Sequence, residues 1–251
     1  LKKQKFDLVY GLHAVRHIFQ HDISRVLEIW VQEGRNDSKL QTLLRQAQQQ
    51  GIAVQTVAKK TLDNLTQHGP HQGIVIAYKP FPIFNQSNLF KLISQLTSPP
   101  FLLILDEIQD PHNLGACLRT AEAAGVDAVI IPSHRACGLS AVVRKVASGA
   151  TNTLPFFQVT NLASTLRELQ TQGVWIIGAD GKSENSLFEV NLTGALAFVL
   201  GAEGNGLRRL TRETCDVLIH IPMLGKVESL NVSVATGICL YEALRQRLAN
   251  Y

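Results

Sequence analysis

Hydrophobic and polar positions follow two textures along the chain. Up to about residue 80, short apolar runs alternate with longer amphipathic ones. DLVYG, RVLEIWV, IAVQTV and GIVIAY predict strands, and SKLQTLLRQAQQQG predicts a helix that stops at Gly51. This is a compact α/β unit. Four prolines then bracket one short amphipathic stretch in KPFPIFNQSNLFKLISQLTSPP, and proline disfavours regular pairing on either side. Beyond it the apolar runs lengthen. FLLILDEI is nearly continuous, as expected of a parallel strand buried on both faces, and VDAVIIP, VWIIGAD, LAFVLGAE and DVLIHIP predict four more strands. NLGACLRTAEAAG predicts a helix with Asn113 near its start and Gly125 at its end. Leu230, Val234, Ile238, Tyr241, Leu244 and Leu248 recur every three or four residues, so a last helix over 230–248 packs that stripe on the sheet or on another subunit. The expected architecture is α/β, with domains over 1–78 and 99–251 and a linker over 79–98. Ligands of such a parallel sheet collect at the carboxyl ends of its strands.

Composition narrows the class. The 251 residues suffice for one large or two ordinary domains, and 45% hydrophobic with 18% charged is a globular profile. No apolar run reaches the roughly eighteen residues of a membrane span, and the basic LKKQKFDLVYGLHAV lacks the apolar core of a secretory signal. A cytoplasmic location without membrane attachment is expected. The net charge of +4 permits a polyanionic partner without requiring one. Cys117, Cys137, Cys215 and Cys239 form no C-x-x-C pair, which predicts reduced core thiols rather than a zinc site or disulfides. His13, His17 and His21 fall at i, i+4 and i+8 with no acidic or cysteine partner, so they read as a stripe facing solvent or a polyanionic partner, and no metal is expected.

Three stretches gather polar residues at strand ends. In DEIQDPHNLGACLRT, Asn113 reads either as a helix cap or as a site residue. Arg119, among small apolar neighbours, calls for an anionic partner or a phosphate. In VLGAEGNGLRRL, the glycine order is not that of a dinucleotide or phosphate loop, and Glu203 would repel a phosphate; the turn fits a neutral or cationic ligand, or a partner arginine. In IHIPMLGKVESLNVSVATG, Ser229 and Asn231 straddle a helix start after a loop too long for a mere connection. Arg208, Arg209 and Arg212 follow the glycine turn and are candidates for gripping a nucleic-acid backbone.

Together, PHNLGACLRTAEAAG, LGAEGNGL and IPMLGKVESLNVSVATGICLYEAL resemble the three motifs of the SpoU (TrmH-like) class of SPOUT RNA methyltransferases, from about Phe101 onward. YGLHAVRHIF, HQGIVIAY and VASGATNTLPFFQVTNLASTLRELQ resemble the subfamily that methylates a guanosine ribose in large-subunit (23S) ribosomal RNA. The resemblance implies a parallel-sheet domain with a deep trefoil knot, an L30e-like RNA-binding domain at the N-terminal end, a homodimer, and S-adenosyl-L-methionine as cofactor. It implies catalytic roles for Arg119, Asn113, Glu203, Ser229 and Asn231, and cofactor contacts at Gly201, Ile221, Leu230, Ala179 and Met223. His71 and Gln72, with Arg208 and Arg209, are the candidates for contact with the RNA. Arg119 is either a base or a phosphate anchor, and a guanidinium surrenders its proton only above pH ~12. The competing readings are the same chemistry on transfer RNA and a catalytically silent RNA-binding protein.

Overall fold

The computed structural model describes residues 6–21, 23–35, 37–79, 83–202 and 206–249. The chain divides into two compact units, Leu1–Phe81 and Pro82–Tyr251.

The first unit holds a four-stranded sheet of order β1-β4-β2-β3, formed by β1 (Asp7–Tyr10), β2 (Val26–Gln32), β3 (Ala53–Val57) and β4 (Ile74–Tyr78). The central β4 is buried throughout and runs antiparallel to both neighbours, while β2 and β3 are parallel. Helices α1 (Leu12–His21), α2 (Ser38–Gln49) and α3 (Lys59–Leu65) complete the unit. They bury Val15, Leu40, Leu43 and Leu62 in its core with Ile29, Ile74 and Ile76. Asp37 caps α2 by accepting from the Leu40 N–H at 3.0 Å, and its other oxygen accepts from Arg35 Nε at 2.7 Å. The Arg35 hydrogen bond holds the Asp37 carboxyl below the usual carboxylate range. Gly51 follows α2 at φ +68°, the left-handed stop its place after the helix predicted.

The second unit is a six-stranded, wholly parallel sheet of order β10-β8-β9-β5-β6-β7. Its strands are β5 (Phe101–Leu105), β6 (Ala128–Pro132), β7 (Phe156–Val159), β8 (Trp175–Ala179), β9 (Leu196–Leu200) and β10 (Val217–Ile219). Five of the six match the predicted apolar runs; β7, FFQV, is an addition. Every residue of β5, β6 and β9 is buried, as central parallel strands require. One face of the sheet offers Leu102, Ile104, Ile130 and Val199 to α4 (Gln86–Ile93) and α7 (Leu162–Thr171). Thus α4 supplies core residues Leu89 and Ile93 from within the segment expected as linker.

The remaining helices are α5 (Pro111–Ala123), α6 (Ala141–Ala147), α8 (Arg209–Thr214) and α9 (Val232–Leu248). Small residues on α5 let its neighbours approach. A Cβ on Gly115 would sit 2.6 Å from Val146 Cβ and 2.8 Å from the Val143 carbonyl oxygen of α6. We expect Gly115→Ala to lower stability by about 1–3 kcal/mol, through overpacking against a branched side chain and a backbone atom. Thermal or urea unfolding measures it, and Val146→Ala in the same chain should restore part of the loss.

The stripe expected to pack α9 is only partly the packed one. Val232, Thr236, Cys239, Leu240 and Ala243 are buried, whereas Val234, Tyr241 and Leu248 are exposed. The helix is apolar on more than one face, and the face that meets α5 wins the contact. Cys117 and Cys239 are buried, Cys137 and Cys215 half-buried, and all four are free thiols. Burial pushes the Cys215 and Cys239 thiols up to about 12, which keeps them protonated and inert.

Candidate functional site

Three neighbouring strands deliver the expected cofactor residues to one edge. Ala179 ends β8 and pairs in register with Ile219, the last residue of β10, while Gly178 pairs with Val199 of β9. Ala179, Gly201 and Ile221 therefore leave the sheet side by side at its carboxyl end, and Met223 follows in an irregular run that reaches Asn231. Leu230 is half-buried in that run and Ser229 is exposed. Outside any ladder, the run's backbone N–H and C=O groups must find other partners, which suits it to holding a polar ligand.

The glycine turn is closed on itself. Gly206 N–H donates to the Ala202 carbonyl at 3.0 Å, and Gly206 lies at φ +63°. A Cβ on Gly201 would stand 2.1 Å from the Gly206 carbonyl carbon and oxygen, so this position accepts no side chain. Glu203, inside the turn, lies outside the described residues.

Asp106, to which the sequence alone assigned no role, braces the turn. It is fully buried at the end of β5, where its N–H donates to the Leu200 carbonyl at 2.8 Å. Its carboxylate accepts from the backbone N–H of Arg208 at 3.2 Å and from Arg208 Nε at 2.7 Å, with Nη2 at 2.6 Å. Charge-assisted bonds of this geometry are among the strongest a side chain makes. The signal in the sequence was a carboxylate directly after a central buried strand.

The arginines beyond the turn are consequently occupied. Arg208 also lies 3.5 Å from Glu107, Arg209 pairs with Glu213 at 2.8 Å, and Arg212 pairs with Asp180 at 2.6 Å. An RNA phosphate would have to displace a carboxylate from Arg208 or Arg209 before either could grip it. Among the described residues these three arginines beside the turn are all paired with carboxylates, which fits a ligand without phosphates.

Motifs far apart in sequence meet at the start of α5. Its cap is Asp110, accepting from the His112 N–H at 3.1 Å with Pro111 as the first helical residue, so Asn113 is released from capping. The buried Asn113 instead accepts from Asn231 Nδ2 at 2.9 Å, across 118 residues. Asn231 caps α9, accepting from the Ser233 N–H at 2.8 Å. Arg119, two turns along α5, is exposed, with no hydrogen-bond or ion-pair partner among the described residues.

His71 and Gln72 are engaged within the first unit. His71 is buried; its Nδ1 accepts from the Gly73 N–H at 2.9 Å, which leaves Nε2 to donate to Asp63 at 2.9 Å. Gln72 Oε1 accepts from the Leu12 N–H at 3.0 Å. Both side chains hold the turn before β4. Among the described residues, no group of three or more His, Cys, Asp or Glu could hold a metal ion, and no helix is long and apolar enough to cross a membrane.

Comparison with known proteins covers both units. The SpoU rRNA Methylase family matches residues 100–241, and the family described as RNA 2′-O ribose methyltransferase substrate binding matches residues 8–84. A Shewanella oneidensis protein named 23S rRNA (guanosine-2′-O-)-methyltransferase RlmB is 52% identical over 98% of this chain and 99% of its own length. A Vibrio vulnificus protein of the same name is 51% identical over 97% and 98%. Among solved structures, the SpoU methyltransferase AviRb from Streptomyces viridochromogenes, in complex with the cofactor AdoMet, superposes with a TM-score of 0.68. It is 22% identical and covers 98% of this chain and 92% of that one.

Proposed function

The chain belongs to the SpoU rRNA methylase family, and from that premise we propose that it transfers the methyl group of S-adenosylmethionine to the ribose 2′-OH of a guanosine in 23S ribosomal RNA. The observation that carries the reading at the level of the site is the Asn113–Asn231 bond, which joins the first and third motifs where the sheet presents its carboxyl ends. Full-length identity near one half to relatives of one name supports the ribosomal target.

Bound S-adenosylmethionine supplies an electrophilic methyl group on a sulfonium centre. The backbone at Ala179, Gly201, Ile221, Met223 and Leu230 would hold it. Arg119 takes the phosphate beside the target ribose and so fixes the 2′-OH in line with the methyl group. Its fixed charge also stabilises negative charge developing on that oxygen. Asn113 and Asn231, locked to each other, orient the hydroxyl together with Ser229 and Glu203. In this reading the return of residues 220–231 from β10 to α9 is the threaded part of a trefoil knot, and action on ribosomal RNA fits a cytoplasmic location.

The exposed Val234, Tyr241 and Leu248 of α9, seven residues apart, support a homodimer built on that stripe. Tyr241→Glu should weaken self-association by about 100-fold, roughly 3 kcal/mol, by placing a charge in an apolar seam. Sedimentation velocity across a dilution series reads it; an undiminished dimer would remove α9 from the interface.

The function is tested by methyl transfer from labelled S-adenosylmethionine to separate, unmodified 23S ribosomal RNA and transfer RNA, followed by nucleoside analysis. Label in 2′-O-methylguanosine from ribosomal RNA alone is expected. Label from transfer RNA alone would overturn the substrate assignment, and no label from either would overturn the enzymatic one.

A further inference from the structure

His71 and Gln72 hold their own turn, and a different part of the first unit's surface gathers cationic and hydrogen-bond-donating side chains. A cavity of about 370 Å³ opens between α1 and α2. Arg16 and Gln20 line it from α1, one turn apart; Lys39, Thr42 and Gln46 line it from one face of α2, with the buried Leu43 beneath. Each of these polar side chains, and Ser38 at the start of α2, can donate a hydrogen bond; two carry positive charge, and no carboxylate among the described residues lines the groove. The bias extends along both elements. Neither LHAVRHIFQH nor SKLQTLLRQAQQ contains an acidic residue, although the chain has 20. Asp37, at the entry to α2, is taken up by Arg35 and the helix's first turn.

We propose that the α1–α2 groove of the first unit is a binding site for the phosphodiester backbone of the substrate RNA, with Arg16 and Lys39 reaching its phosphates. The inference rests on the reading of the chain as a ribosomal RNA methyltransferase and adds a site to it. Phosphate and sugar are recognised by this mixture of Arg or Lys with Ser, Thr and Gln donors. A protein partner would instead be expected to meet aromatic or aliphatic anchors, and the groove exposes none. Phosphate and sugar carry no base information, so the groove positions the RNA, and its removal falls on KM rather than on kcat.

The test is Arg16→Glu with Lys39→Glu in the full chain, titrated by filter binding against unmodified 23S ribosomal RNA over a series of salt concentrations. The dissociation constant should rise tenfold or more. The salt dependence should flatten by about 1.5 in the slope of log K against log salt, at ~0.7–0.9 for each phosphate no longer neutralised. Turnover at saturating RNA should be unchanged, with the defect confined to KM. Should the charge reversal fail to fold, Arg16→Gln with Lys39→Gln removes the charges with milder chemistry and should show the same flattened slope. A dissociation constant within twofold of the wild type, with an unchanged slope, overturns the groove while methylation by the wild type stands. If the wild-type chain methylates no RNA, the functional reading fails, and the binding titration still decides the groove.

Discussion

Arg119→Ala should lower kcat for RNA methylation by about 1,000-fold and leave the affinity for S-adenosylmethionine within twofold. The magnitude is that of a group acting on charge in the transition state. The selectivity follows from where the side chain lies. Arg119 is exposed on α5 and partnerless among the described residues, so its removal leaves no cavity and unsatisfies no described carboxylate. The residues proposed to hold the cofactor leave the sheet from other elements. Stopped-flow or single-turnover methylation with saturating RNA, beside calorimetric titration of the cofactor, separates the two quantities. Arg119→Lys keeps a charge but not the planar fork, and should recover part of the loss if the group anchors a phosphate. Loss of cofactor binding together with turnover would make Arg119 a structural residue.

Gly201→Ala should raise the dissociation constant for S-adenosylmethionine by at least about 100-fold, roughly 3 kcal/mol. The added methyl carbon would stand 2.1 Å from the Gly206 carbonyl group and 2.5 Å from the Leu207 nitrogen. These are backbone atoms and cannot swing aside as the tip of a side chain can. The turn must open, and with it the approach of the Arg208 N–H to Asp106. Gly206→Ala is the contrast. Nothing among the described residues lies within 4 Å of its Cβ position, and its φ of +63° opposes the change at a cost of about 1 kcal/mol. A folded Gly201→Ala chain that binds cofactor within threefold of wild type would detach the turn from the cofactor site.

The strands of the second unit were legible because parallel strands at a sheet's centre are apolar without interruption, and FLLIL or LAFVL admit no other reading. FFQV was not read as a strand, since it is only four residues long and carries a half-buried glutamine. Asp110–Pro111 held the true start of α5, in the form of a capping side chain before a proline at the first helical position. The stripe on α9 was read as packing on the sheet or on another subunit, and its period alone left that choice open. A helix apolar on several faces satisfies more than one periodic pattern, and only the packing of α5 selects among them. Charge partners were the least legible. The arginines after the glycine turn read as free cations, and the carboxylate that holds Arg208 stands 102 residues earlier in the chain. Asn113 and Asn231 were each legible as polar residues near helix starts, but not as partners.

The bond between those two asparagines also dates the site. Its 118-residue span closes a loop that contains α6, α7, α8 and all the strands from β6 to β10. None of that intervening chain contributes to the bond, yet all of it must exist before the bond forms, and pairings of such separation form slowly. On the ribosome, the chain gains Asn113 well before Asn231, since synthesis proceeds at ~5–20 residues per second. The half-made protein therefore carries a finished first unit and not yet the proposed methyl-transfer centre.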